Sequence, residues 1–384
     1  MTKTSPTETP RLSVIITVKN GGESFRDCLE AIKLSNYDDY ELLVFDDGSS
    51  DGSGKLAIEY GATLVESQDS IKIDETIKQF KESIGPAGGR NHAAAVARGE
   101  ILFFVDADVL VQPTTLSDVV TTFDETPNIS ALFGSYDFEP GHQGFISQFR
   151  NLLHAFVHQN SKSDAKTFWA GCGAVRKEAF LEVNGFDEQR YRFPAVEDIE
   201  FGYRLSEAGH EILLKKSLQV KHLKYWTFST MLVADVLHRA IPWLRLIYSK
   251  RNIPNDLNLT HRNRLSAVVS TLLVLMMIFA IIGIPLAIKD ISDGVLGHFL
   301  GIPYIAWYLG SMAVLAWSFL LLNSDFYLFL FKLRGAWFTF KSACIHCIFF
   351  FYSMIALVVF LADYHIPGLR RLRKRLSIHS HVER

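Results

Sequence analysis

The chain has few cysteines, almost no net charge and no secretory signal at its start. Its four cysteines in 384 residues give no disulfide framework. A formal net charge of −2 argues against a nucleic-acid-binding protein, which would normally carry a strongly basic balance. Residues 1–10 are polar and lack the apolar core of a signal peptide. We therefore expect a disordered lead-in and a first strand that begins in the cytosol.

The most informative motif is a pair of carboxylates directly after a short apolar run. Asp106 and Asp108 follow residues 101–105, a run that predicts a buried strand of a parallel sheet. Open α/β sheets bind ligands at the carboxyl ends of their strands. Oxygen ligands at such a place suit Mg²⁺ or Mn²⁺ held together with substrate phosphates. A solvated acidic turn would explain the same triplet, so its neighbours must decide.

Two further predicted strands precede this one, and each runs into a turn and then a helix. Residues 12–18 predict the first strand and contain Thr17, and residues 41–45 predict the second, which Asp46 and Asp47 follow. Repetition of strand, turn and helix is the pattern of a doubly wound sheet. The sequence therefore predicts an α/β domain with polar side chains gathered at one edge of its sheet.

These motifs, in this order, resemble those of family 2 glycosyltransferases with the GT-A fold. The resemblance covers about residues 11–230 and includes Thr17, the Asp-Asp-Gly-Ser loop that begins at Asp46, the Asp-x-Asp motif, and the later pair Glu197 and Asp198. It implies a GT-A nucleotide-diphosphate-sugar transferase domain with a doubly wound mixed sheet. It also implies transfer of a sugar from a nucleotide-diphosphate donor.

The resemblance implies roles for the residues that would hold the donor. Thr17 and Asp47 match positions that contact the nucleobase, and Arg90 matches an arginine near the nucleotide. Asp106 would contact the ribose or the metal, and Asp108 would coordinate Mg²⁺ or Mn²⁺. Arg90 belongs to a glycine-rich segment that we interpret as a loop leading into a helix, because glycines let backbone approach an anion at a helix N-terminus.

Three more residues are candidates on the acceptor and diphosphate side. Asp198 matches the general base of inverting transfer and has Glu197 beside it, although acids in a first helical turn are also ordinary capping residues. His222 would bind the metal or touch the diphosphate, and a purely structural histidine is the alternative. His222 begins a segment where processive members of the family carry Gln-x-x-Arg-Trp, which is absent here. The absence argues against a polymer-extruding synthase.

The C-terminal third predicts an integral membrane protein. Residues 267–288, 299–322 and 342–361 are apolar stretches that meet the spanning length of about 20 residues. Basic residues before the first stretch place that side in the cytoplasm. Three spans would then leave the basic run 370–375 outside. Either residues 326–340 re-enter the membrane or one apolar stretch does not cross.

We expect five segments along the chain: a lead-in (1–10), a GT-A catalytic domain (11–224), an interfacial amphipathic helix with a linker (225–262), a transmembrane region of about three spans (263–363) and a basic tail (364–384). Interleaved aromatic and basic residues suit a helix in the membrane interface. An amphipathic helix packed on the catalytic domain is the alternative.

The leading hypothesis is a membrane-bound inverting glycosyltransferase of the hexosyltransferase type. It would use a nucleotide-diphosphate sugar, with UDP-sugars favoured, and a lipid-linked or glycan acceptor in cell-surface polysaccharide or glycolipid synthesis. Its catalytic domain would face the cytoplasm at a bacterial-type inner membrane. A catalytically silent GT-A scaffold of a polysaccharide assembly complex is the alternative, against which the complete acidic set argues. A nucleotidyltransferase would leave Glu197, Asp198 and the membrane segments unexplained.

Overall fold

The computed structural model of the chain describes residues 9–65, 83–250, 260–292, 298–299 and 302–366. The chain divides into two compact units, Met1–Met231 and Leu232–Arg384. Most of the predicted lead-in, part of the predicted linker, and the basic run 370–375 with most of the predicted tail lie outside the described residues.

The first unit alternates strands and helices. Its strands are β1 (Leu12–Val18), β2 (Tyr40–Asp46), β3 (Thr63–Val65), β4 (Ile101–Asp106), β5 (Val109–Leu110), β6 (Ile129–Tyr136), β7 (Asp164–Ala165), β8 (Cys172–Arg176) and β9 (Glu211–His222). Its helices are α1 (Gly22–Lys33), α2 (Ser53–Glu59), α3 (Gly85–Val96), α4 (Thr115–Glu125), α5 (Phe145–Asn160), α6 (Lys177–Glu182) and α7 (Glu197–Glu207).

The strands form one mixed nine-stranded sheet in the order β3-β2-β1-β4-β8-β6-β9-β5, with β7 paired to β9. β3, β2, β1 and β4 run parallel to one another, whereas β8 is antiparallel to both β4 and β6. β1 and β4 are buried over nearly their whole length, as expected of strands covered on both faces. The predicted doubly wound mixed sheet is confirmed.

The register of the parallel strands brings their polar ends together. Thr17 on β1 lies opposite Phe45 on β2 and opposite Asp106 on β4. Because parallel strands end at the same edge of a sheet, the side chains that follow them share one crevice. The alternation of apolar runs and turns in the sequence is thus sufficient to locate this edge.

The glycine-rich segment around Arg90 is helical, and its prediction as a loop is wrong. α3 begins at Gly85, so Gly88 and Gly89 lie within the helix. A Cβ on Gly89 would come within 2.7 Å of both the Thr17 and the Phe45 side chains. Gly89 therefore lets α3 pack closely on the sheet, and that packing places Arg90 at the strand ends.

The second unit is helical. After α8 (Phe228–Val233), which crosses the boundary, come a π-helical segment (Ala234–Ala240), α9 (Ile241–Lys250), α10 (His261–Ser292), α11 (Tyr304–Leu322) and α12 (Ser324–His365), with two-residue strands β10 (His298–Phe299) and β11 (Ile302–Pro303). Three of the helices are long and apolar enough to cross a membrane: His261–Ile281, Ile305–Leu322 and Ser324–His365. Polar contacts join them, including donation by the Ser270 hydroxyl to the Cys347 carbonyl at 2.6 Å.

α12 is a helical hairpin and not one straight helix. Gly335 has a non-helical backbone with φ of 77°. Tyr327 and His346, 19 residues apart, are joined by a 3.2 Å contact between the Tyr hydroxyl and Nδ1 of the ring. A straight helix would separate these residues by ~28 Å. The chain therefore turns back at Gly335, as the hypothesis of re-entry by residues 326–340 requires.

We predict that Gly202→Ala lowers the melting temperature of the detergent-solubilised full chain. A Cβ on Gly202 of α7 would lie 2.3 Å from the backbone nitrogen of Phe168 and 2.4 Å from the carbonyl carbon of Thr167. The backbone cannot rotate away as a side chain can, and overpacking of this kind costs about 1–3 kcal/mol. Gly310→Ala is the control, because a Cβ there meets nothing within 4 Å. Equal melting of Gly202→Ala and the wild type would contradict the prediction.

Candidate active site

Asp47 follows β2 at the polar edge of the sheet and holds the start of α3. Its carboxylate accepts hydrogen bonds from the backbone N–H groups of Ile84 at 2.9 Å and Gly85 at 3.2 Å, and from the Ser83 hydroxyl. A carboxylate is favourable at a helix N-terminus. A nucleobase contact by Asp47, which stays a prediction, would have to share this carboxylate with the helix.

Arg90 is the buried cation at the centre of the site. Its guanidinium donates through Nη2 to Oδ1 of Asp106 at 2.8 Å and through Nη1 to Oε1 of Glu197 at 2.9 Å. Arg90 is only 6% exposed, and Glu197 is 5% exposed. The guanidinium thereby joins the end of β4 to the first turn of α7. A nucleotide contact by Arg90 also stays a prediction.

Asp198 lies beside this ion network without an arginine of its own. One carboxylate oxygen accepts from the backbone N–H of Ala170 at 3.3 Å, and the other from the backbone N–H of Ile199 at 2.8 Å. Burial raises the pKa of Asp198 to about 7, and the neighbouring charge of Glu197 adds to the rise against the opposing effect of Arg90. A carboxyl group with such a pKa can exchange a proton near neutral pH.

Asp108 and His222 are brought together by the pairing of β5 with the end of β9. Val109 is in register with His222, and the backbone N–H of Leu223 donates to the Asp108 carbonyl at 2.9 Å. Nε2 of His222 then lies 3.5 Å from Oδ2 of Asp108. Burial tends to raise the pKa of Asp108, but the His222 ring in its protonated form and the charge of Lys224 outweigh it and hold the pKa at about 2.

The donor set of this pair fits a hard or borderline divalent cation. One carboxylate oxygen, from Asp108, and one imidazole nitrogen, from His222, lie close together. A second carboxylate, that of Asp106, ends β4 two residues before Asp108. Within the described ranges, no group of three or more His, Cys, Asp or Glu side chains is arranged to hold a metal ion. Mg²⁺ or Mn²⁺ bound here would complete its coordination with water and substrate phosphates, as Mg²⁺ commonly does.

The structure gathers the predicted residues into two neighbouring groups. The first group consists of Arg90 and the acids around it, Asp106, Glu197 and Asp198. The second group is the pair of Asp108 and His222. Thr17 lies beside Asp106 in the register of the sheet, and Asp47 follows the next parallel strand. Their roles in binding or catalysis stay predictions.

Sequence reasoning missed two residues that surround His222. Tyr136 at the end of β6 stacks on the imidazole, with ring centroids 4.5 Å apart and an interplanar angle of 10°. Asn151 on α5 places its side-chain oxygen 2.6 Å from Nδ1 of His222. A signal was present for Asn151, because Ser147, Asn151 and His158 are buried polar residues at helical spacing on α5. Polar residues on the buried side of a helix indicate specific partners.

Comparison with known proteins identifies the class of the first unit. Residues 13–183 match the profile of glycosyl transferase family 2, and residues 150–225 match a profile described as the N-terminal domain of galactosyltransferase. These matches cover most of the first unit, which is similar in sequence to family 2 glycosyltransferases.

Two curated relatives are similar over part of their length. EpsH of Bacillus subtilis, a protein named as a glycosyltransferase, is 32% identical over 121 residues, which are 31% of this chain and 32% of the relative. The uncharacterized glycosyltransferase YibD of Escherichia coli is 32% identical over 113 residues, which are 29% of this chain and 30% of the relative. The chain thus spans about a third of the length of each of these relatives.

A solved structure shares the fold over most of the chain. It is the mannosyltransferase PcManGT from Pyrobaculum calidifontis in complex with GDP-Man and Mn²⁺. The likeness covers 94% of this chain and 90% of that one, with a TM-score of 0.54 and 17% sequence identity. It supports the GT-A fold predicted from the sequence motifs.

We predict that Arg90→Met destabilises the protein far more than Arg11→Met. Loss of the guanidinium leaves Asp106 and the buried Glu197 without their counter-charge, and breaking a buried ion pair costs about 3–5 kcal/mol. Arg11 also bridges two carboxylates, those of Glu100 and Asp124, but it is partly exposed, and pairs of that kind contribute about 0–1 kcal/mol.

The measurement is thermal melting of both variants in detergent, together with Glu197→Gln and the double variant Arg90→Met/Glu197→Gln. Because the Arg90 and Glu197 side chains are in contact, the double variant should lose less free energy of unfolding than the two single variants lose together. Additive effects, or equal melting of the Arg90 and Arg11 variants, would show that the ion network does not join β4 to α7.

Proposed function

We propose that the protein is a membrane-bound inverting glycosyltransferase that moves a sugar from a nucleotide-diphosphate donor to an acceptor hydroxyl. One observation carries the proposal. Asp198, a buried carboxyl group whose pKa is raised, lies next to Glu197 in the Arg90 ion network, and a separate carboxylate–imidazole pair, Asp108 and His222, begins two residues after Asp106 of that network. Inverting transfer needs these two kinds of group, a base for the acceptor and ligands for the leaving diphosphate.

On the donor side, Asp108 and His222 would hold Mg²⁺ or Mn²⁺. When bound, the cation neutralises charge on the diphosphate as a Lewis acid. Lys224 adds a positive charge close to Asp108. Asp106 would contact the ribose or the cation, and Thr17, Asp47 and Arg90 would bind the nucleotide. A solved structure of the same fold contains GDP-Man and Mn²⁺, which supports a nucleotide sugar and a divalent cation as the ligands. We favour a UDP-sugar of the hexose type as the donor.

On the acceptor side, Asp198 would accept the proton of the attacking hydroxyl. The hydroxyl oxygen forms a bond to the anomeric carbon as the bond from that carbon to the diphosphate oxygen breaks. The proton passes to the Asp198 carboxylate, and the electron pair leaves with the nucleoside diphosphate. Hydrogen bonds from the N–H groups of Ala170 and Ile199 orient the carboxylate for this transfer. Glu197 keeps its partner Arg90 and supports the raised pKa of Asp198.

The helical unit suggests where the acceptor lies. Three helices of membrane-spanning length and composition support an integral membrane enzyme. We place it at a bacterial-type inner membrane with the catalytic domain, residues 11–224, in the cytoplasm, because basic residues precede the first span. Residues 225–262 would lie in the membrane interface and link to spans within residues 263–363. A lipid-linked or glycan acceptor in cell-surface polysaccharide or glycolipid synthesis fits such an anchored domain.

We predict that Asp108→Ala and Asp198→Asn both abolish transfer but differ in donor binding. Asp108→Ala should lose Mn²⁺-dependent binding of the nucleoside diphosphate, since it removes a proposed ligand. Asp198→Asn should keep that binding, since it removes only the proposed base. Calorimetric titration of UDP, GDP and TDP into the solubilised protein, with and without Mn²⁺, measures the difference. Asp27→Ala, at an exposed acid on α1, is the control.

Metal-dependent binding of one of the three diphosphates by the wild type would support a working donor site. It would also identify the nucleotide of the sugar donor. A folded wild type that binds none of the three would favour the silent scaffold. Undiminished turnover in either variant would remove that residue from the mechanism.

We predict that the rate of transfer increases as the pH is raised through about 7. In Glu197→Gln, the same increase should occur at lower pH. Below pH 7, Asp198 is protonated and cannot accept the hydroxyl proton, because its pKa lies at about 7. The negative charge of Glu197 contributes to that raised pKa, so its removal lowers the pKa. Profiles of kcat/KM against pH test the shift, with Glu207→Gln at the exposed end of α7 as control. If the pH profile of Glu197→Gln matches that of the wild type, Asp198 is not the group whose titration controls the rate.

A further inference from the structure

Asn151 is a buried amide with a fixed orientation. It lies on α5 and is 2% exposed. Its Nδ2 donates to the backbone carbonyl of Ser147 at 2.9 Å, and its Oδ1 lies 2.6 Å from Nδ1 of His222. An amide nitrogen only donates and an amide oxygen only accepts. Donation to the Ser147 carbonyl therefore leaves the oxygen, and not the nitrogen, facing His222.

The orientation of Asn151 selects the tautomer of His222. Since Oδ1 of Asn151 can only accept, Nδ1 of His222 must carry a hydrogen. In the neutral ring, the other nitrogen, Nε2, is then unprotonated and has a lone pair available. Nε2 is the atom that lies 3.5 Å from Oδ2 of Asp108. The free lone pair and the carboxylate consequently face the same point.

Two other contacts hold the ring in this plane. Tyr136 stacks on one face of the imidazole at 4.5 Å. The pairing of Val109 with His222 fixes the backbone beneath the ring. His222 is itself 7% exposed, so little room remains for rotation. Asn151, Tyr136 and the β5–β9 pairing together fix both the plane and the tautomer.

We propose that Asn151 is a positioning residue for cation binding: it holds His222 in the Nδ1–H tautomer with Nε2 directed at the cation position beside Asp108. The inference rests on the proposed function, in which His222 and Asp108 bind Mg²⁺ or Mn²⁺. A hydrogen bond to the distal nitrogen of a ligating histidine orients the ring and raises its basicity, and its loss typically weakens metal binding 10–100-fold. Asn151 would act through His222 and not touch the metal.

The experiment is titration of Mn²⁺ in the presence of UDP, with free Mn²⁺ counted by electron paramagnetic resonance, on the full chain in detergent. Asn151→Leu removes the acceptor and should weaken Mn²⁺ binding by about 10–100-fold. Asn151→Asp keeps an oxygen for the Nδ1–H group and should restore binding towards that of the wild type. Gln159→Leu is the matched control, because it removes an amide from the same helix that donates to the Lys216 carbonyl. It should leave Mn²⁺ affinity unchanged.

The outcomes separate this inference from the proposed function. If His222→Ala and Asp108→Ala keep wild-type Mn²⁺ affinity, the proposed cation site is wrong and the role of Asn151 falls with it. If those two variants lose Mn²⁺ while a folded Asn151→Leu binds it as tightly as the wild type, only the role of Asn151 is wrong.

A second measurement needs no Asn151 variant to fold. Histidine labelled with ¹⁵N in the wild type, with Mg²⁺ and UDP present, gives nitrogen shifts that distinguish protonated from unprotonated ring nitrogens. The resonances of His222 are those missing from the His222→Gln spectrum. We expect a protonated Nδ1 and an unprotonated Nε2. The reverse tautomer would overturn the inference.

Discussion

The two ion pairs of Arg90 are the constraint on which the site depends. Four carboxylates lie at the end of β4 and the start of α7, those of Asp106, Asp108, Glu197 and Asp198, and buried acids in one place repel each other unless cations compensate them. Arg90 satisfies Asp106 and Glu197 and leaves Asp198 with a pKa of about 7. On the other side, His222 and Lys224 hold the pKa of Asp108 at about 2. Carboxylates whose environments push their pKa values apart are suited to different tasks. The positions of the cations therefore favour the proposed division of these acids into a base and a ligand.

Much of this arrangement follows from local sequence. Apolar runs of five to seven residues predict buried strands, and parallel strands must end at one edge, so Thr17, Asp47 and Asp106 are placed without long-range information. The glycines around Arg90 show the limit of this reasoning. Glycine favours a loop when only its neighbours in sequence are considered. Here Gly89 allows a helix to contact Thr17 and Phe45, which are 72 and 44 residues away in the sequence. Close packing between distant segments is not visible in a local pattern.

The surroundings of His222 were beyond prediction for a related reason. Asp108 meets His222 through the pairing of a two-residue strand with the end of a long one, and so short a strand gives no periodic signal. Asn151 comes from a third segment, α5, whose buried polar residues indicate partners without naming them. Similarly, hydropathy finds the apolar stretch 342–361 and leaves re-entry of residues 326–340 as one alternative, but it does not place the turn at Gly335, because one glycine does not reveal its backbone angles. Tertiary pairing supplies what the pattern lacks.

The end of β9 carries other polar residues at the place where Gln-x-x-Arg-Trp is absent. The segment at that position instead begins with His222, which faces Asp108, and continues to Lys224, whose charge lowers the pKa of that carboxyl. Lys224 also lies over the Trp226 ring, with Nζ 4.7 Å from the centroid, so its charge is held near the strand end. The backbone N–H of Trp226 in turn donates a hydrogen bond to the Ser147 hydroxyl oxygen of α5. The helix that orients His222 through Asn151 therefore also anchors the residues that follow it. A change in α5 would disturb the proposed cation ligand and the neighbouring positive charge together, whereas the Arg90 network on the other side of Asp106 would keep its own partners.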